Sequence, residues 1–284
     1  MTTKTPAISR KRGPLSRRGR VLLLLLAVLL VYGIFVEPAW LQVTRRDITL
    51  PRLAPEFDGL RVVQLSDLHC GPSFFNKMAI RRAVTAANAF DPDLILLTGD
   101  YVNVPGSIGE MRRLLSGLRA RRGVLAVLGN HDYWTDPAAV TAALRAAGVT
   151  VLQNEAVPVE RGGARLWIAG LDDAWEGRPD LARALRPIPA GDPVILLVHE
   201  PDMAGLVSQQ PVDLQLSGHV HGGQVRLPFA GAIVTPHLGH KYPLGMYRVN
   251  DMRLHVSRGI GVTWPGLIRL NCRPEITCFT LYKL

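Results

Sequence analysis

Acidic residues are missing from the first 36 positions of this chain, while Lys4, Arg10, Lys11, Arg12, Arg17, Arg18 and Arg20 crowd the same stretch. With those seven cations set apart, the formal net charge of +10 leaves about +3 for everything that follows. That residue of charge is too small for a phosphate-tracking surface, so nucleic acid is excluded as a partner of the main body. Cysteine is scarce: Cys70, Cys272 and Cys278 are an odd count that leaves at least one thiol free. A Cys272–Cys278 bridge is open to them, but buried thiols are the favoured reading. Cys70 lacks the base-orienting neighbours of a nucleophile and reads as a packing residue. Repeats, low-complexity tracts and a second domain boundary are also absent. Hydrophobic residues at 48% against 20% charged indicate a globular chain with a core of ordinary size.

One long apolar run is present, "VLLLLLAVLLVYGIFV" from Val21 to Val36. At about 1.5 Å per residue it covers roughly 24 Å, a little less than a ~30 Å hydrocarbon core. Trp40 and Leu41 extend it and the flanking arginines can snorkel. A cleaved signal peptide fits less well, because Glu37 stands where a small residue is wanted. Against the basic tail, only Arg45, Arg46 and Arg52 follow closely, which puts the N-terminus in the cytoplasm and the main domain across the membrane. The expected organisation is a basic tail at 1–20, an anchor at 21–41, a juxtamembrane strand and linker at 42–59, and one domain at 60–284.

Beyond the linker, β-branched runs alternate with helical stretches. "LRVVQL", "DLILLTG", "VLAVLG", "ARLWIAG", "PVILLVH" and "VDLQLSG" read as strands; 76–90, 108–121 and 137–147 read as helices. That alternation predicts an α/β domain with helices covering a sheet. Past Val225 the helices stop and short strands such as "LHVSRG" and "ITCFTLYKL" take over.

The polar residues obey a rule of position. Most of these apolar runs end in side chains able to ligate a metal: Asp67 and His69, Asp100, Asn130 and His131, His199, then His219 and His221. Ligand sites of open α/β sheets form at these carboxyl ends. One such histidine would be an ordinary loop residue; the set points to a metal centre. Carboxylates, an amide and imidazoles without cysteine suit Mn, Fe, Zn, Ni or Co. Asp100, at a tight Thr-Gly-Asp corner, is placed to bridge two cations, and such a pair clamps a phosphoryl group.

In order, "DLH", "GD", "GNHD", "H" and "GHVH" resemble the motifs of the calcineurin-like metallophosphoesterases. "GHVHGGQ", "SRGIG" and "RPEITCFTL" are similar to its membrane-associated bacterial subgroup. The resemblance implies a four-layer α/β/β/α sandwich of two mixed sheets flanked by helices, behind one transmembrane helix of a bacterial cell membrane. It implies one divalent ion on Asp67, His69, Asp100 and His221, and a second on Asp100, Asn130, His199 and His219. His131 would be the general acid for attack by a metal-bridging hydroxide, with Asp132 orienting it from behind. The substrate would be a phosphoester or pyrophosphate, lipid-linked or of the cell envelope, with UDP-2,3-diacylglucosamine hydrolysis one alternative. A non-catalytic, metal-stabilised membrane module is the alternative of another class. A zinc hydrolase of β-lactamase or amidohydrolase type is set aside, since no HxHxDH or paired HxH stands near the first strands.

Several residues are weighed and given plainer readings. Arg258 is a candidate anion contact. His237, His240 and Lys241 read as a solvated loop, His255 as a packed strand residue, Trp167 as core and Trp175 as a loop aromatic. Asn103 and Tyr133 lie beside the motifs, where lining the cleft is open to them, but any loop could carry them. Glu200 reads as a surface group or one behind the ligands.

Overall fold

The computed structural model describes residues 16–263 and 267–284, so Lys4, Arg10, Lys11 and Arg12 of the expected tail lie outside the described residues. Helix α1, Arg17–Val31, starts at Ser16, whose Oγ accepts the Gly19 amide at 3.2 Å. None of its residues is buried by protein. The helical path continues through a wider turn at Tyr32–Val36 and a tight one at Glu37–Ala39. Together they form one apolar unit of 23 residues, Arg17–Ala39, about 35 Å long at 1.5 Å per residue and thus able to cross a bilayer.

Strands follow at β1 (Gln42–Leu50), β2 (Leu60–Leu65), β3 (Leu94–Thr98), β4 (Val124–Val127) and β5 (Val149–Val151). Then come β6 (Glu155–Arg161), β7 (Ala164–Gly170), β8 (Val194–Leu197) and β9 (Leu214–Ser217). The last are β10 (Arg226–Leu227), β11 (Gly231–Ala232), β12 (Gly245–Val249), β13 (Met252–Val256) and β14 (Glu275–Lys283). One mixed sheet has the order β1-β14-β2-β3-β4-β5, the other β12-β13-β9-β8-β7-β6, and β10 and β11 form a small hairpin apart. Four parallel pairs, β2–β3, β3–β4, β7–β8 and β8–β9, sit inside the sheets, where both faces are covered, and this explains why those strands are largely apolar.

Side-chain alternation assigns the layers. Val62, Leu94, Leu96, Leu125 and Val127 point toward the second sheet and meet Ile168, Ile195, Leu197, Leu214 and Leu216. Their neighbours Val63, Ile95, Leu97, Val124 and Ala126 point outward, under a helical layer. That layer is α2 (Phe74–Ala89), α3 (Ile108–Leu115) and α5 (Pro137–Ala146), with the short α4 (Asn130–Thr135) leading into α5. On the far side α6 (Leu181–Leu185) and α7 (Ala204–Val207) contribute Ala184, Ala204 and Val207 over the second sheet. The four-layer α/β/β/α sandwich is thus present, with a thin fourth layer.

Two expectations change. The strand expected within 42–59 is present but is built into the domain's sheet: β1 runs parallel to β14 in register over its whole length, from Gln42 opposite Glu275 to Leu50 opposite Lys283. Beyond it, the Arg52 guanidinium forks onto both oxygens of Asp213 at 2.8 Å, tying this segment to the second sheet. The folded domain therefore begins at Gln42. Helix α3 stops at Leu115 instead of 121, because the Ser116 hydroxyl turns back to the Arg113 carbonyl at 2.9 Å and Gly117 follows. The favoured reading of the cysteines holds: all three are free and buried.

The inter-sheet layer sets the stability. Truncating Leu96, fully buried between the sheets, should cost about 2–5 kcal/mol in urea unfolding of Leu96→Ala; a loss under 1 kcal/mol would contradict this packing.

Candidate metal centre

The loops leaving β2 and β3 run side by side. Amides of Asp67, His69 and Cys70 donate to the carbonyls of Gly99, Asp100 and Tyr101 at 2.8–3.0 Å, prolonging the parallel pairing past the strand ends. The price is backbone strain: Asp67, His69, Asp100, His219 and His221 all hold positive φ, between 45° and 73°. Non-glycine residues rarely adopt this region, and its concentration on five candidate ligands marks a functional site. Close approach also fixes Gly218, where a Cβ would strike Ser66 Oγ and Asp67 Oδ2.

Both carboxylates brace a neighbouring loop. Asp67 Oδ1 accepts the His219 amide at 2.9 Å, and Asp100 Oδ1 accepts the His131 amide at 2.9 Å. Asp100 turns its other oxygen inward to the imidazoles, whereas Asp67 meets His221 with the same Oδ1. His221 Nε2 lies 2.9 Å from His69 Nε2 and 3.2 Å from Asp67 Oδ1, while His199 Nε2 lies 3.2 Å from Asp100 Oδ2. Three groups each offer ligand atoms within 4.8 Å of one another: Asp67, His69 and His221; Asp67, Asp100 and His199; and His69, Asp100 and His131. His219 joins by its ring, edge-on to His199 at 4.9 Å.

These residues fit divalent cations on grounds internal to the site. Asp67 Oδ2, Asn130 Oδ1 and His199 Nε2 are buried without a hydrogen-bond partner, an expensive state that a cation relieves. Outer partners also orient the rings. His69 Nδ1 pairs with Asn103 Oδ1 at 2.6 Å, His199 Nδ1 with the Thr98 carbonyl at 2.6 Å, and His219 Nε2 with the His237 carbonyl at 2.7 Å. Since each of those acceptors requires N–H, the opposite ring nitrogen keeps its lone pair for the centre. Burial, with His221 beside it, lowers His69 to about 3, and burial with His199 nearby lowers His219 to about 4. Burial works against ionised Asp100, but His199 and His131 hold it well below its usual value. Burial likewise disfavours charge on His199, yet Asp100 raises it well above the ordinary imidazole value; a bound cation would take the place of that proton.

Other sequence expectations land differently. Asp132 does not orient the His131 ring: its buried carboxylate accepts the amides of Gly129, Asp100 and Tyr101 at 2.8–3.0 Å, stitching two motif loops together. Burial lowers the His131 imidazole and Asp100 only partly opposes this, so a nearby carboxylate does not keep it protonated. Arg258 pairs with Glu275 at 2.9 Å and is no part of the cavity wall. His255 is packed as expected, its Nδ1 2.7 Å from Gln64 Oε1. Glu200 is fully buried and accepts the Ala174 amide at 3.0 Å, so it is no surface group. His240 and Lys241 offer their amides to Asp202 in an exposed loop, as expected.

Four contributors escape the sequence reading. Asn103, weighed only as a residue lining the cleft, orients His69. Arg269, fully buried, donates to carbonyls of Arg258, Gly259, Gly261 and Cys272 and reaches to 3.3 Å from His221 Nδ1. Trp134 lies against His131 with ring centres 4.6 Å apart, and Trp175 stands edge-on to both Trp134 and His219. Only the polar residue three places after Asp100 carried any sequence signal. The centre opens into a cavity of about 760 Å³ whose wall includes both tryptophans, Val220, Val225, Ile233 and Val234.

Residues 60–223 match the family described as calcineurin-like phosphoesterase. The chain belongs to this family. It is 38% identical over 255 residues to the uncharacterized metallophosphoesterase YkuE of Bacillus subtilis, covering 88% of each chain. It is 32% identical to the phosphodiesterase YaeI of Escherichia coli, over 88% of this chain and 92% of that one. Similarity extends at 29% identity to the UDP-2,3-diacylglucosamine pyrophosphatase LpxG of Chlamydia muridarum, over 87% of this chain and 91% of that one. This calcineurin-like phosphoesterase is a metal-dependent phosphoester hydrolase, and the motif order Asp67 to His221 falls inside the matched segment.

The orienting role of Asn103 is directly measurable. Asn103→Ala should weaken divalent-metal binding by about 10–100-fold in titration calorimetry while the unfolding midpoint stays near wild type. Unchanged affinity would deny it that role.

Proposed function

We propose that this chain is a membrane-anchored phosphodiesterase or pyrophosphatase whose substrate is lipid-linked. The observation carrying the reading is the convergence of Asp67, His69, Asp100, His199 and His221 on one buried point beside an apolar-walled cavity. Asp67, His69, Asp100 and His221 would hold one divalent cation; Asp100, Asn130, His199 and His219 would hold the second. Bound there, the pair would supply a water-derived nucleophile at neutral pH and neutralise charge on the phosphoryl oxygens.

The protein's own residues do the rest. Asn103, Thr98 and His237 hold three imidazoles in the ligating tautomer. His131 stands edge-on to His69 at 4.6 Å between ring centres, at the cavity floor, where its ring can hand a proton to the departing oxygen. Burial holds that ring neutral in the free protein, and the negative charge of an arriving phosphoryl group favours its protonation. Trp134 and Trp175, ring against ring in the cavity wall, give the reacting group an apolar flank. Hydrolysis adds water across the P–O bond, leaving one fragment as the phosphate ester and the other as an alcohol or a second phosphate.

A lipid-linked substrate draws support from the apolar cavity wall and the anchor, and LpxG is by its name a pyrophosphatase of an acylated sugar nucleotide. A purely structural, non-catalytic module fits less well, since no position in the ligand set is missing and His131 is in place. For topology, the basic residues ahead of α1 favour a cytoplasmic N-terminus and a domain on the outer side.

Three measurements test this reading. Metal-stripped protein should hydrolyse bis(p-nitrophenyl) phosphate only after Mn, Zn or another divalent ion is restored; no gain with any of them would sink the proposal. His131→Ala should retain its metals yet lose about 10²–10⁴-fold in turnover on an alkyl diester, whereas Asp100→Ala should lose both metals by elemental analysis. External protease on intact cells should digest the domain and spare the N-terminal tail, and the converse pattern would reverse the topology.

A further inference from the structure

The hairpin of β10 and β11, with the two residues after it, is apolar on its outside. Leu227, Ile233 and Val234 are 49%, 57% and 70% exposed, and Phe229 at the tip is fully exposed. Four large apolar side chains in eight residues form a patch that water-facing surfaces avoid. Its position relative to α1 gives it meaning.

The hairpin is rooted on Leu270: the Arg226 amide donates to the Leu270 carbonyl and the Leu270 amide to the Gln224 carbonyl, both at 2.9 Å. The residues on either side of Leu270 receive the end of the membrane helix. Arg269 donates its amide to the Gly33 carbonyl at 2.9 Å, Asn271 donates to Glu37 Oε2 at 3.0 Å, and the Cys272 amide donates to Glu37 Oε1. Arg273 lies over the Trp40 ring, 4.0 Å from its centre, a cation and aromatic at the level where interfacial anchors sit. Exposed Leu267 and Phe74 flank the same junction, with Phe75 against Phe35 of the helix. One short segment, 269–273, therefore fastens both the helix that enters the bilayer and the apolar hairpin.

Ile233 and Val234 have a second face. They also line the cavity whose floor is Asp100, Asn130, His131, His219 and His221, together with Val220, Val225 and Pro236. An apolar path thus leads from the outer surface at the helix exit to the metal centre.

We infer that this face docks on the bilayer, the hairpin immersed at its surface and the cavity admitting the acyl portion of a membrane phospholipid whose phosphodiester reaches the metal centre. The occupant is a bilayer lipid because the surface is continuous with the membrane helix and because the path ends at groups suited to a phosphoester. Only the substrate half of the inference rests on the phosphoesterase reading above; the docking half stands on the hairpin and the helix alone.

The test uses the full chain. Phe229→Cys, labelled with an environment-sensitive fluorophore, gives a selective probe because Cys70, Cys272 and Cys278 are buried. In phosphatidylglycerol–phosphatidylcholine vesicles its emission should shift to the blue and be quenched by spin-labelled lipid. A water-like, unquenched probe overturns docking, as does shielding that depends on protein concentration in detergent alone, which would assign the patch to a second copy of the chain. The paired variant Leu227→Ser with Phe229→Ser should lose about tenfold or more of its turnover on vesicle phosphatidylglycerol while keeping that on bis(p-nitrophenyl) phosphate. Equal activity of variant and wild type on both substrates overturns the lipid-delivery role and leaves the phosphoesterase reading intact. A wild-type protein that cleaves the soluble diester but not the phospholipid overturns the substrate half. If the metal-loaded protein cleaves neither, the phosphoesterase reading falls with the substrate half, and the probe still decides docking.

Discussion

Each carboxylate at the centre has one oxygen tied to the backbone of a different loop, Asp67 to His219 and Asp100 to His131. That pair of charge-assisted bonds is the constraint on which the rest depends. The first joins loops of the two sheets, the second joins neighbouring loops of one sheet, and together they leave Asp67 Oδ1 facing His221 and Asp100 Oδ2 facing His199. The imidazoles follow, because their outer nitrogens are already committed to Asn103, Thr98 and His237. Left-handed backbone at five candidate ligand positions accompanies that convergence, held by two tightly packed sheets.

Why the sheets can do this is a matter of layers. Both faces of the parallel strands are covered, so their sequences are largely apolar and most of their polar residues are pushed to the carboxyl ends. A chain that obeys this rule writes its active site as a series of strand-end motifs. For that reason six of the eight strands from Leu60 to Ser217 and the candidate ligands at their ends were legible in the sequence, whereas Val149–Val151 and Glu155–Arg161 were not, and the four-layer order followed only from the family resemblance. Asp67, His69, Asp100, Asn130, His131, His199, His219 and His221 announce themselves by residue type and by place.

What escaped had no such signature. β1 pairs with β14 across more than two hundred positions of sequence, and no local pattern marks that partnership, so 42–59 reads as a strand and linker outside the domain. Arg269 resembles any arginine in a loop until four carbonyls are seen closing around it. Glu37 argues in sequence only against a signal-peptidase site; in the fold its carboxylate caps two amides at the far end of the chain. Asp132 misleads in the opposite way. Its adjacency to His131 suggests a partnership, but helix α4 turns its side chain down onto three amides instead. Neighbours in sequence on a helix do not face each other.

The contact between Glu37 and the 271–272 amides makes the end of the anchor a structural member of the domain. Glu37 props 271–272, the adjoining Arg269 packs beneath His221, and Cys272 Sγ touches the His221 carbonyl at 3.1 Å. Proteolytic shedding just after the apolar helix would therefore do more than free the domain to diffuse. It would pull a prop from under one imidazole of the centre, so release from the anchor and loss of competence would arrive together.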